Sequence, residues 1–147
     1  MKKIIALAAI VAATPAIAGH HEENPKADGH SKMLMAGLLG TNEVSDGDED
    51  GRGQFMAWPD EDGKLCYRLM VTKVDAPTAA HIHSGAAGVN GGVAVALSAP
   101  TDGKVEGCAD VDADTMAAIW ADPGSFYVNV HNAEHPAGAV RGQLMSH

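Results

Sequence analysis

The segment Phe126–His131, FYVNVH, decides the architecture. Phe126, Val128 and Val130 alternate with Tyr127, Asn129 and His131, the two-residue period of a strand with one face buried. The valines mark the core side, so His131 is expected to point away from it. A second stretch, AAHIHSGAAGVNGG from Ala79, repeats the arrangement: His81 and His83 flank Ile82 and oppose it. In an extended chain two such histidines project from one face roughly 6.6 Å apart at the backbone, close enough for both imidazoles to converge on one ion.

Outward from these segments, further strands are expected at KMLMAGLLG, GQFMAW, KLCYRLMV, GVAVALS, KVEGC and GAVRGQLM, with Gly, Pro, Asp and Asn between them. About eight strands at short spacing predict an all-β fold, a Greek-key-like β-sandwich or barrel. One short helix interrupts it at DADTMAAIWADPG. Asp112 is placed to cap it, and Met116, Ile119 and Trp120 form its core-facing stripe. The chain has 147 residues, 46% of them hydrophobic but only 4% aromatic, enough for one domain built mainly on aliphatic side chains.

Residues 1–18 have the pattern of a signal peptide: a basic MKK, an apolar IIALAAIVAA and a small-x-small AIA ending at Ala18. No cysteine follows the expected cleavage point and no later segment is long enough to span a bilayer, so no membrane anchor is expected. The expected setting is the periplasm. Residues 19–31 read as a flexible, His-containing tail, and residues 32–147 as the folded domain. Cleavage after Ala18 would also give a free amine followed by His20 and His21, an arrangement suited to Cu(II) or Ni(II); a solvated tail is the alternative.

In an oxidising compartment Cys66 and Cys108 are expected to form one disulfide, tying the LCYRL strand to the segment after GGVAVAL and bracing the sheet that carries His81 and His83. The formal net charge is −9, becoming −11 once Lys2 and Lys3 are removed. Such a surface repels nucleic acid and anionic membranes, so neither is an expected partner. Met33 and Met35 share a strand face and offer thioether sulfur to Cu(I), although core packing is the favoured reading. Asp46, Asp48, Asp50 and Gly51 begin like a calcium loop, but Ala57 stands where the closing Glu belongs, leaving a solvated acidic loop.

His81, His83 and His131 are the candidate metal ligands, with His135 in the following turn as a possible fourth. Imidazole nitrogen without thiolate or a carboxylate cage suits copper, with zinc as the alternative metal; the competing reading is a set of hydrogen-bonded surface histidines. No nucleophile elbow, phosphate loop or zinc-protease helix is present to support those chemistries.

AAHIHSGAAGVNGGVAVAL together with FYVNVHNAEHPAGAVRGQL resembles the CHRD domain, the module named after chordin and also found alone in exported bacterial proteins. The resemblance extends from Lys32 to Leu144 and includes GTNEV and LCYRL; it departs at Ala139, where that family often has Glu, and in the acidic loop. A more distant similarity is to copper/zinc superoxide dismutases, in which an H-x-H strand and later histidines hold copper. It implies a copper-only site at His81, His83, His131 and His135 that converts superoxide to O₂ and H₂O₂, with Arg141 the candidate for attracting the anion; the alternative for Arg141 is a structural role, bonding to strand ends or a carboxylate, and Lys73 is the substitute cation. The alternatives are a copper carrier or buffer without turnover, and a CHRD interaction module without metal.

Overall fold

The computed structural model describes residues 32–147. The expected signal peptide and tail, with His20 and His21, lie outside the described residues. The strands are β1 (Leu34–Leu39), β2 (Arg52–Pro59), β3 (Leu65–Thr72), β4 (Ala79–Ser84), β5 (Val93–Leu97), β6 (Lys104–Ala109), β7 (Phe126–His131), β8 (Val140–Gln143) and β9 (Met145–Ser146). All pairings are antiparallel, in the order β5-β4-β7-β8-β1-β2-β3-β6, with β9 beside β1. The β3–β4, β5–β6 and β6–β7 connections join strands that are not neighbours in this order, so the meander is broken three times. The Tyr67 hydroxyl on β3 accepts from the Ser98 amide just beyond β5, at 2.8 Å, drawing the two ends of the order together into a nearly closed barrel.

Two-residue alternation builds the interior. Leu34, Ala36 and Leu38 enter it from β1, Phe55 and Ala57 from β2, Ile82 from β4, and Val128 and Val130 from β7. The one α-helix among the described residues, α1 (Ala113–Ala121), starts where Asp112 accepts from the Thr115 amide at 2.9 Å and inserts Ile119 into the same core. Met116 and Trp120 pack beside it, the indole N–H 3.1 Å from the Met116 sulfur. The last expected strand, GAVRGQLM, is divided: Leu144 turns inward between β8 and β9.

Cys66 and Cys108 are disulfide-bonded and directly opposed on β3 and β6. The bond was expected, and it ties two strands of the one sheet that also carries the histidines, although neither β3 nor β6 pairs with β4 or β7. Met33 and Met35 are corrected as well. The inward positions of β1 belong to Leu34, Ala36 and Leu38, leaving Met35 half-buried on the opposite face, with Met33 two residues before it at the same parity.

Candidate metal centre

β4 lies between β5 and β7, and its register with β7 sets Ala79 opposite His131, His81 opposite Asn129 and His83 opposite Tyr127. His81 and His131 are therefore diagonal neighbours on one face, within reach of long side chains. Between Ile82 and His83 the pairing with β5 shifts register, a bulge of the sort that re-aims a side chain. One nitrogen each from His81, His83 and His131 lies within 4.8 Å of the other two. The ring centroids are 5.1 Å apart for His81 and His131, 5.4 Å for His81 and His83, and 6.1 Å for His83 and His131.

The tautomers follow from backbone acceptors. His83 Nδ1 is 3.0 Å from the Gly91 carbonyl and His131 Nδ1 is 3.1 Å from the Pro136 carbonyl. A carbonyl only accepts, so both Nδ1 atoms carry the proton and both Nε2 atoms keep a lone pair. His131 Nε2 then accepts from His81 Nδ1 at 3.2 Å. His83 Nε2 is buried with no hydrogen-bond partner. Moving the His81 proton to its own Nε2 would free a third lone pair, on Nδ1, beside those of His83 Nε2 and His131 Nε2. Backbone acceptors on the far nitrogens are the usual second layer of a histidine metal site.

The surroundings favour the neutral form of His81 and His131. Burial, followed by the neighbouring His131 and His83, holds the His81 pKa below its ordinary value. His131 is lowered mainly by burial, against an opposing effect of its bond to Pro136. Neutral imidazole is the form that coordinates.

His135 is not part of this group. Its Nδ1 donates to the Asp46 carbonyl at 2.9 Å and its amide donates to Asn132 Oδ1 at 2.7 Å, which pins it against the acidic loop. Arg141 has the surroundings of the structural alternative. It is 1% exposed, and its guanidinium donates to the Ala86 and Val89 carbonyls and to Asn90. The substitute cation, Lys73, faces Asp50 at 3.7 Å on the surface.

Three neighbours of the site were missed in the sequence. Tyr127 stacks on His83, Asn129 lies opposite His81, and Glu43 receives the Asn129 Nδ2 bond at 2.6 Å. The alternation in FYVNVH already put Tyr127 and Asn129 on the His131 face, so that signal was available. Burial raises the Glu43 pKa to about 7, against the lowering effects of Arg141, Asn129 and His135. Gly138, at φ +146°, is required there: a Cβ would stand 2.5 Å from both Asn129 Nδ2 and Glu43 Oε1. A further group, Asp60 with Cys66 and Cys108, also has ligand spacing, but the disulfide consumes both thiols.

The fold and site together define an all-β, single-helix domain with a three-histidine cluster on its outer face. The chain belongs to the CHRD domain family, whose model matches residues 34–144. No curated protein and no solved structure matches it. The likeness to superoxide dismutases therefore rests on the histidine pattern alone.

Proposed function

We propose that this CHRD protein binds copper through His81 Nδ1, His83 Nε2 and His131 Nε2, and that the bound ion dismutes superoxide. The supporting observation is His83: its Nδ1 is committed to Gly91 while its Nε2 is buried and unpartnered, on a ring grouped with two other imidazoles. A buried polar atom without a partner is costly, and a coordinated cation removes that cost. Three neutral nitrogens with no thiolate or carboxylate favour Cu(II) over Zn(II) on intrinsic affinity.

Copper supplies one-electron chemistry: one superoxide gives up an electron to become O₂, and a second takes that electron with two protons to become H₂O₂. The chain's own contribution is to fix three ligands and leave a position open. Because the ligands are neutral, they leave the charge of the ion uncompensated, which favours an anionic substrate. We place this activity in the periplasm, on the pattern of residues 1–18.

The commitment of Arg141 to loop carbonyls favours a second reading, copper carriage without turnover. Metal analysis after equal exposure to copper and zinc, followed by a superoxide assay, separates the outcomes. One copper per chain with catalytic loss of superoxide supports the proposal. Copper without turnover supports the carrier, zinc alone changes the metal, and no metal at all removes the centre.

A further inference from the structure

Met35 on β1 is directly opposite Met56 on β2 and, on its other side, directly opposite Met145 on β9. Register partners project from the same face, so three thioethers form one row across three adjacent strands. The same three methionines line one groove of about 350 Å³. None of them belongs to the buried core, and Met145 is 53% exposed.

Methionine is not the residue that strand propensity selects for a sheet surface; β-branched and aromatic residues are. What a row of methionines offers is soft sulfur on flexible three-rotor arms. No charged side chain lines the groove, and the net charge of −9 draws cations to the surface. Both cysteines are in the disulfide and Met116 receives the Trp120 indole, while Met33 and Met70 do not line this groove.

We infer that Met35, Met56 and Met145 form a second metal site, a three-thioether site for Cu(I). Thioether sulfur prefers Cu(I) to the borderline or hard divalent ions, so this row and the histidine cluster differ in the oxidation state they favour. The inference uses none of the histidines and stands whether or not they bind copper.

The test uses the full chain with His81, His83 and His131 replaced by Ala. It is titrated without oxygen with a Cu(I) acetonitrile salt against a coloured Cu(I) chelator, and copper–sulfur scattering is read by X-ray absorption. One tightly held Cu(I) with sulfur neighbours is expected. Adding Met35→Leu, Met56→Leu and Met145→Leu keeps the apolar volume and should cost at least tenfold in affinity and remove the sulfur signal. Met145→Leu alone, at an exposed position outside the core, should weaken Cu(I) several-fold in a chain whose fold is unaltered by circular dichroism. Unchanged affinity or unchanged copper–sulfur scattering in the Leu variants would overturn the site and leave only an apolar groove.

Discussion

The imidazole of His83 lies parallel to the phenol ring of Tyr127, with centroids 5.0 Å apart and planes 6° from each other. The guanidinium carbon of Arg141 stands 3.4 Å from the centroid of the same Tyr127 ring. β7 lies between β4 and β8, so the ring has the histidine on one flank and the cation on the other. Through this arrangement a residue on β8 bears on the orientation of a candidate ligand on β4.

Tyr127→Phe keeps the ring and should retain most copper affinity, losing only the hydroxyl that accepts from the Gly91 amide at 3.3 Å. Tyr127→Ala removes a buried ring, at a cost of about 3 kcal/mol in stability, and frees His83 to reorient. Its copper affinity should fall about tenfold, in the range seen when outer partners of ligands are lost. Equilibrium dialysis and denaturant unfolding check the pair. Equal affinities in the Ala and Phe variants would show that the stack does not position His83.

His81→Ala, His83→Ala and His131→Ala should each weaken copper by about 100-fold or more, since each removes a ligand outright. His135→Ala should stay near the wild type, because its ring is held by Asp46 and contributes no atom to the cluster. A large loss on removing His135, measured by competition with a chelator, would mean that the 132–139 turn closes onto the metal.

The barrel and its helix were legible because the alternation in segments such as FYVNVH and KLCYRLMV is a local property of the chain. The outward parity of His81, His83 and His131 was legible for the same reason. A structural role for Arg141 was one of two readings open in the sequence, but its partners were not legible, since Ala86 and Val89 are more than fifty residues away and offer carbonyls that any sequence would. His135 was unreadable for a like reason: its partner is the backbone of Asp46. The methionine row depends on the register of three strands, which pattern alone does not supply.

The raised pKa of Glu43 has a definite sign in stability. The carboxyl ionises near 4.5 in the unfolded chain and near 7 in the folded one, because burial outweighs Arg141, Asn129 and His135 around it. Between those values the folded state holds the extra proton, so this group makes stability fall as pH rises through that window and level off above it. Glu43→Gln should remove that decline while keeping a partner for Asn129. Thermal midpoints of both chains from pH 4 to 8 test this, and parallel curves would reject it.

Replacing both Cys66 and Cys108 by Ser should lower stability by about 4 kcal/mol, the chain-entropy value for a closed loop of this length. Copper content should be unchanged in the folded protein, because neither β3 nor β6 pairs with β4 or β7. Parallel measurement of unfolding and bound copper separates the two effects. Loss of copper at full folding would tie the disulfide to the site after all.

Arg141 distinguishes an open cation from a buried brace. A steering residue removed by Arg141→Ala would leave the fold intact and slow turnover most at low salt, where the Debye length is long. The geometry predicts a different outcome. The guanidinium joins β8 to the Ala86–Asn90 loop, covers one flank of Tyr127 and offsets part of the burial effect on Glu43. Its loss strands carbonyls and removes a desolvated cation–π contact, for a cost of about 3 kcal/mol. It should also raise the Glu43 pKa further, steepening the decline in stability toward neutral pH. Unfolding curves at two pH values, together with turnover across a salt series, test both accounts. A stable variant with salt-dependent loss of turnover would restore the steering role; an unstable one without such salt dependence fixes Arg141 as the brace that holds Tyr127 against His83.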